Sequence, residues 1–464
     1  MRAFEAPAAP ARPRLTSPTY RLVNARVSAA LVDDGSSLAC DREGSSLVDL
    51  EVVEGRIARI VPARGASEEA GLDLDGGHVW PCPVDMHTHL DKGHIWPRAT
   101  NEDGTHQSAA RRVAADRRSH WSAEDVGARF DFGLACAYAH GTAAMRTHLD
   151  CYELAQADIS FGVFRDRRAA WRDRLDLQAV AMTHVEKWQG ADGARLADLS
   201  ADSGASLGGI VRILDHVSRD ENERRLDAAL DALLDLAAAR GLDVDLHVDE
   251  TLDPDARALC NVARAVLRKR FRGRVTVGHC CSLSMQADEE ISATLALCRE
   301  AQLAVVALPM VNLYLQGREP HRTPRHRGLT PLHEWRAAGV RTAVASDNCR
   351  DPFFAFGDLD MVEVFREAVR IGHLDMPLDG WLATITSTPA DIMGLPNRGR
   401  LCEGAPADLV LFRGRTFSEL LSRPQADRIV LRRGLPIERT LPDHRSLDTL
   451  FDNGVVTSRL IASS

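Results

Sequence analysis

Two histidines with a single residue between them, His87 and His89, close a hydrophobic segment of the chain. Because alternate residues of a strand point to the same side, both imidazoles could bind one metal ion. Three other short hydrophobic segments end in His247, His279 and Asp347. Neutral imidazole and carboxylate are the ligands of hydrolytic zinc and iron centres, so these residues predict a catalytic metal site.

The middle of the chain alternates between strand-like and helix-like segments, the latter including 223–240 and 288–301. The candidate strands are 79–87, 142–148, 176–183, 210–215, 243–248, 274–279, 303–308 and 341–347. Eight strands with helices between them predict an α/β fold, a (β/α)8 TIM barrel. Seven of the 17 histidines lie at or near the ends of these strands: His87, His89, His148, His184, His216, His247 and His279. Such barrels carry their chemistry at the C-terminal ends of the strands, so this clustering favours an active site.

Short alternating segments with a strand texture precede the barrel and return after residue 395. Each half is too small to fold alone, so together they predict one small β-sandwich built from both chain ends. We therefore expect a loose N-terminal extension over 1–18 and a composite sandwich over 19–80 and 395–464. The metal-dependent barrel is predicted to span 81–394.

Composition narrows the choice of partners. A net charge of −9 argues against nucleic acid, and no segment approaches the roughly 20 apolar residues that span a bilayer. The ten cysteines, with Cys280 and Cys281 adjacent, lack the spacing of a disulfide framework and predict reduced thiols. We expect a cytoplasmic protein with a small-molecule substrate and leave a homo-oligomer open.

Six motifs occur in a specific order along the chain. They are His87-Thr88-His89-Leu90-Asp91, Arg146-Thr147-His148-Leu149-Asp150, His247-Val248-Asp249-Glu250, Gly278-His279, Ser346-Asp347-Asn348-Cys349-Arg350-Asp351-Pro352 and Gly404-Ala405-Pro406-Ala407-Asp408. Their order and spacing resemble the amidohydrolase superfamily and, within it, the cytosine deaminase-like branch. The resemblance covers most of the chain and implies a hydrolase that acts on carbon–nitrogen bonds other than peptide bonds.

The resemblance implies one divalent metal ion, Zn²⁺ or Fe²⁺, completed by a water molecule. Its protein ligands would be His87, His89, His247 and Asp347, the last also counting among the catalytic residues. A metal with an open position can lower the pKa of bound water to about 7. Glu250 would be the general acid and base that carries a proton from this water to a ring nitrogen. His279 would hydrogen-bond the attacking water or the developing oxyanion.

Three expected substrate-binding positions depart from cytosine deaminase. His184 stands where that enzyme has glutamine, Asn348 where it has aspartate, and Phe353 where it has tryptophan. An amide donates and accepts hydrogen bonds whereas a carboxylate only accepts, so the recognised ring should differ. We expect an aminated heterocycle other than cytosine, for example isocytosine, a methylated pyrimidine, an aminotriazine, a pterin or a creatinine-like ring.

Alternatives remain at this point. Removal of an N-alkyl amine from a triazine would need the same metal and proton carrier. A binuclear cyclic-amide hydrolase would need a carboxylated lysine at the end of strand four, and segment 210–216 has none. A non-catalytic scaffold would be expected to lose ligands that this chain keeps. Asp91 and Lys92 could form an ion pair, His148 and Asp150 could brace the barrel mouth, and His216 is expected to be structural.

Overall fold

The computed structural model describes residues 17–33, 35, 38–63, 71–215, 217–376, 378 and 380–451. The described residues divide into a smaller unit, 17–81 with Leu401–Glu438, and a larger unit, Cys82–Arg400 with 439–451. Of the predicted extension over 1–18, only Ser17 and Pro18 are among the described residues.

The described residues contain 16 strands and 12 α-helices, numbered here in chain order. The strands are β1 Thr19–Ser28, β2 Ser45–Val53, β3 Arg56–Pro62, β4 Leu72–Asp73, β5 Val79–Pro81, β6 Val84–Thr88, β7 Ala144–Asp150, β8 Asp176–Met182, β9 Ser206–Ile210, β10 Val244–Val248, β11 Val275–His279, β12 Ala304–Ala307, β13 Arg341–Val344, β14 Leu409–Leu411, β15 Ile429–Arg432 and β16 Leu435–Pro436. The helices are α1 His106–His120, α2 Ala123–His140, α3 Leu154–Trp171, α4 Ala191–Asp202, α5 Arg219–Arg240, α6 Ala258–Lys269, α7 Asp288–Glu300, α8 Pro309–Leu315, α9 Leu332–Ala337, α10 Met361–Gly372, α11 Ser387–Ile392 and α12 Phe417–Leu421.

The smaller unit contains two four-stranded sheets, ordered β3-β2-β1-β4 and β16-β15-β14-β5. The turn between β2 and β3 falls at Glu54 and Gly55, and both residues have positive φ. One apolar core joins residues of the first sheet, such as Leu50, to residues of the second, such as Leu409 and Leu431. The predicted sandwich of both chain ends is confirmed.

The larger unit contains eight parallel strands in the order β6 to β13. A bridge between Thr88 and Asp347 joins the last strand to the first, with Asp347 N donating to His87 O at 2.8 Å. Asp85 supports this closure from inside the barrel, since Ser346 Oγ donates to its Oδ2 at 2.5 Å. The predicted (β/α)8 barrel is confirmed.

Two predicted strands are wrong by more than small shifts of their ends. The predicted strand 79–87 is two strands, β5 and β6, because Pro83 has no N–H to continue the ladder. The predicted strand 210–215 is β9, which ends at Ile210. Its interior holds Gly208 and Gly209, where a Cβ atom would lie 2.3 Å from Asp245 O and 2.6 Å from Thr183 O respectively. Glycine within a strand marks this close approach of backbones, although its intrinsic preference for strands is low.

Residues 439–451 were predicted in the sandwich but belong to the larger unit. Leu447, in a 3₁₀ helix, packs against Phe132 and Cys136 of α2. Arg439 Nε donates to Ala139 O at 2.8 Å, at the end of the same helix. The C-terminal segment therefore supports the barrel. None of the described helices combines the length and apolar character that crossing a membrane requires.

Candidate metal centre

The four predicted metal ligands come from the C-terminal ends of three strands. His87 lies in β6 and His89 one residue beyond its end, while His247 lies in β10. Asp347 follows β13 with φ of +68°, a left-handed conformation that turns the chain at the rim. All four residues are at least nine-tenths buried. The barrel closure therefore places ligands from distant parts of the sequence beside one another.

The donor atoms of these four residues converge. His247 Nε2 lies 3.2 Å from His87 Nε2 and 3.4 Å from His89 Nε2. Asp347 Oδ1 lies 3.1 Å from His89 Nε2 and 3.6 Å from His87 Nε2. Two metal–ligand bonds of about 2.0–2.1 Å at a tetrahedral angle hold donor atoms roughly 3.3–3.4 Å apart. The spacing fits one metal ion.

The electrostatics of these residues also fit a cation. Both carboxylate oxygens of Asp347 are buried, and neither accepts a hydrogen bond from the described residues. Burial, and after it the nearby Glu250 carboxylate, raises the pKa of Asp347 well above its usual range. Burial holds the pKa of His87, His89 and His247 well below theirs, so these imidazoles are neutral. Neutral imidazoles around an uncompensated buried carboxylate are suited to a divalent metal.

His148 lies beside this ligand set. Its ring packs against that of His87, with centroids 3.9 Å apart, and a nitrogen of His148 lies within 4.8 Å of those of His87 and His89. His148 Nε2 is 3.4 Å from Asp245 Oδ1, and Arg146 Nη1 also donates to Asp245 at 2.8 Å. His148 therefore packs between a ligand imidazole and a carboxylate that already has an arginine partner.

Glu250 lies in the turn after β10, with its side chain 14 % exposed. Asn312 Nδ2 donates to Glu250 Oε1 at 3.3 Å, and His279 Nδ1 is 3.4 Å from the same oxygen. His106 Nε2 lies 3.4 Å from Glu250 Oε2. Burial would raise the pKa of Glu250, but His279 and His106 outweigh burial and lower it to about 2. Glu250 is therefore ionised at neutral pH and able to accept a proton.

His279 ends β11 with a positive φ of 69°, and its ring is 5.0 Å from that of His247. Burial is the main cause that lowers the pKa of His279 to about 4. Asn312 Nδ2 is 3.0 Å from His279 Nδ1, and an amide nitrogen can only donate. The proton of the neutral imidazole is thereby assigned to Nε2, which is buried with no hydrogen-bond partner in the described part of the chain.

Two residues beside Glu250 were missed by sequence reasoning. Asn312 lies on α8, at the rim after β12, and His106 is the first residue of α1. Asn312 was overlooked because the search favoured histidines and carboxylates. Its position four residues after the end of a predicted strand was the available signal. His106 follows Thr105, whose side chain accepts from Ser108 N as the helix N-cap, so capping fixes its place.

The predicted substrate-binding residues have different surroundings. Phe353 lies beside His106, with ring centroids 5.2 Å apart. Asn348 is buried, and its Nδ2 donates to Asp351 Oδ2 at 2.7 Å, which uses one of its two donors. His184 follows β8 and packs against Tyr152, with ring centroids 5.0 Å apart. His216 lies outside the described residues.

The predicted ion pair between Asp91 and Lys92 is not formed. Asp91 Oδ2 accepts from Asp150 N at 2.8 Å and from Ser160 Oγ at 3.1 Å. Burial, and next the Asp150 carboxylate, raises the pKa of Asp91 to about 7. The carboxylate nearest to the Lys92 ammonium is instead that of Asp150, 3.9 Å away. Asp91 therefore braces the barrel mouth through backbone and hydroxyl donors.

Comparisons with known proteins agree with this fold. Residues 214–446 match the family described as "Amidohydrolase family". The chain is 52% identical over 413 residues to a pterin deaminase of Rhizobium rhizogenes, covering 88% of this chain and 92% of that protein. It is 25% identical over 394 residues to N-isopropylammelide isopropyl amidohydrolase of a Pseudomonas species, covering 80% of this chain and 88% of that protein.

A solved structure gives the same result for the fold. The crystal structure of 5-methylcytosine deaminase from Klebsiella pneumoniae, liganded with 5-fluorocytosine, superposes with a TM-score of 0.76. It is 24% identical, and the match covers 91% of this chain and 98% of that one. Barrel and site together define a metal-dependent hydrolase of carbon–nitrogen bonds. The chain belongs to the amidohydrolase family, which confirms the resemblance read from the sequence.

Proposed function

We propose that this protein is a hydrolytic pterin deaminase that binds one Zn²⁺ or Fe²⁺ ion at His87, His89, His247 and Asp347. The predicted class, a metal-dependent deaminase of an aminated heterocycle, is confirmed by the family and the relatives. The narrower assignment to pterins depends on the 52% identity to a pterin deaminase over nearly the whole of both chains.

The metal would supply Lewis acidity, which lowers the pKa of a bound water molecule to about 7. Glu250 is ionised and three residues beyond a ligand, so its carboxylate is placed to accept a proton from the attacking water. Glu250 then delivers this proton to a ring nitrogen beside the aminated carbon. In a later step it carries a second proton, from the hydroxyl group added to that carbon, to the amine, which departs as ammonia. Asn312 orients this carboxylate by donating to Oε1.

His279 would stabilise the negative charge that develops on oxygen. Its neutral ring accepts from Asn312 at Nδ1 and so presents an Nε2–H donor. A preorganised donor in a buried site can contribute a factor of about 10²–10³ to turnover. Asn312 thus fixes both the proton carrier and the oxyanion donor. Phe353, Asn348 and His184 remain our candidates for reading the substrate ring.

Ammonia release from pterin tests the proposal directly. We expect kcat/KM on pterin to exceed that on cytosine by at least about 10-fold, because mismatched buried polar groups cost about 1–3 kcal/mol each. The panel should include 5-methylcytosine, isocytosine and N-isopropylammelide, with isopropylamine measured for the last. A preference for cytosine would contradict the pterin assignment, and release of isopropylamine alone would favour the N-dealkylation alternative.

Elemental analysis should find one tightly bound Zn²⁺ or Fe²⁺ per chain. The described ligand set supplies four donors and no lysine to be carboxylated as a bridge, because β9 and the turn after it contain none. Chelation should abolish ammonia release, and one equivalent of metal should restore it. Activity that requires a second equivalent would instead support a binuclear hydrolase.

We further propose the cytoplasm as the location. All ten cysteines are free thiols, and seven of them are buried. Reduced cysteines in this number are typical of a reducing compartment. Fractionation of the native host, with a periplasmic marker for comparison, tests this placement.

A further inference from the structure

We propose that Lys92 is a specificity-determining residue whose ammonium binds the ring oxo group of the substrate. The inference rests on the proposed function, since pterin is 2-amino-4-oxopteridine and carries a carbonyl oxygen on the ring that bears the amine. Lys92 follows the ligand His89 by three residues and has no part in the reaction derived above.

Lys92 is buried, with only 5 % of its surface exposed. The nearest carboxylate oxygen, Asp150 Oδ1, is 3.9 Å away, beyond hydrogen-bond length. Asp150 is held by its other oxygen, because Oδ2 accepts from Arg117 Nη1 at 2.7 Å, while Oδ1 forms no hydrogen bond with the described residues. Throughout the described ranges, no acceptor lies within hydrogen-bond distance of the Lys92 ammonium. Buried donors are normally satisfied, so this ammonium has capacity for an acceptor on a ligand.

The ammonium faces the reaction site. Its charge acts on His89 and His247 among the metal ligands, and it lowers the pKa of Glu250. The ammonium lies over the Phe353 ring, because Lys92 Nζ is 4.7 Å from the centre of that ring. The same ring contacts His106, which pairs with Glu250 Oε2. Lys92, Phe353, His106 and Glu250 therefore form one side of the site, referred to here as the Lys92 wall.

The chemistry of this wall discriminates between substituents. An ammonium has three donors and no acceptor, so it binds a carbonyl oxygen and repels a ring amino group that needs an acceptor. Glu250, at the other end of the Lys92 wall, delivers a proton to a ring nitrogen. A substrate with an amine at the reacting carbon and an oxo group elsewhere on the ring satisfies both ends.

The test compares two substrates that differ only in the oxo group, pterin and 2-aminopteridine. Wild type should prefer pterin by at least about 10-fold in kcat/KM, the usual scale of a hydrogen bond from a charged donor. Lys92→Met, which keeps the length of the side chain, should lower kcat/KM on pterin by about 10- to 100-fold. Its kcat/KM on 2-aminopteridine should change by less than about 3-fold, since no bond is lost there.

Lys269→Met is the matched control, because Lys269 lies at the end of α6 and pairs with Asp235 at 2.6 Å. Lys269→Met should leave kcat/KM unchanged on both substrates, and all variants should keep the wild-type metal content. Lys92→Arg, which keeps the charge in a longer side chain, should retain part of the preference.

Three results would overturn the role of Lys92: equal losses on both substrates, no loss on either, or a wild type without the preference. The third result is measured on wild type alone, so the proposal can be tested even if Lys92→Met fails to fold. A wild type that releases ammonia from neither pteridine but does so from another heterocycle would reject the proposed function and this inference together. An active wild type with equal losses in Lys92→Met would reject only the inference.

Discussion

Replacing Glu250 with glutamine should lower kcat by roughly 10²–10⁴-fold, the range expected for a positioned acid and base. Glutamine has the shape of glutamate, and its amide oxygen can still accept from Asn312 Nδ2, now 3.3 Å from the carboxylate. The substitution therefore removes proton transfer with little change in packing. Since Glu250 is not among the four converging ligands, the metal should stay bound.

Single-turnover kinetics of ammonia release and elemental analysis of the same sample check this expectation. Glu223→Gln is a suitable control, because Glu223 lies on the exposed face of α5 and pairs with Arg219 at 3.2 Å. That variant should match wild type in both measurements. Near-normal turnover of Glu250→Gln would remove the residue from its role, and loss of metal would place it in the ligand set.

The catalytic end of the barrel was predictable because its chemistry appears as residue types at strand ends. His87 and His89 could be recognised from their spacing alone, and Asp347 from its place after a short apolar segment. Parallel strands bring their C-terminal ends to one rim, so neighbours in space follow from order along the chain. The structure brings these residues, His247, Glu250 and His279 together as expected.

The errors came where local sequence rules oppose tertiary requirements. Gly208 and Gly209 are poor strand formers, yet β9 needs them because neighbouring carbonyl oxygens occupy the space of a Cβ. Asn312 escaped notice because an amide has no charge and no metal-binding role, although it contacts both Glu250 and His279. Its importance depends on hydrogen-bond geometry, which spacing along the chain does not reveal.

The C-terminal segment was assigned to the wrong unit for a similar reason, since its packing partner is distant in the sequence. Leu447, with Leu450 and Phe451 three and four residues later, is a short apolar pattern in a polar stretch, and this pattern does not identify the surface that it packs against. Its place is decided by α2, where Phe132 and Cys136 provide an apolar surface. Long-range packing of this kind is visible only in the folded chain.

Replacing Asp347 with alanine should abolish metal binding and ammonia release together. Asp347 Oδ1 lies 3.1 Å from His89 Nε2, and both of its oxygens are buried without a donor among the described residues. No other described group offers an anionic oxygen to balance a divalent cation at the three imidazoles, because Glu250 is held by Asn312 and His106. Three neutral ligands alone would leave the cation without compensating charge in a buried site.

Thermal melts with added metal separate loss of the ligand from loss of the fold. A metal that binds only the folded state raises the Tm, by an amount equivalent to about 2.7 kcal/mol when free metal is 100-fold above its Kd. Wild type stripped of metal should show this rise, whereas Asp347→Ala should melt cooperatively at a Tm that added metal does not change. Asp231→Ala, which removes an exposed partner of Arg268 on α5, should respond like wild type. A variant lacking Asp347 that still gains stability from metal and releases ammonia would show that the three histidines suffice and that the aspartate is no ligand.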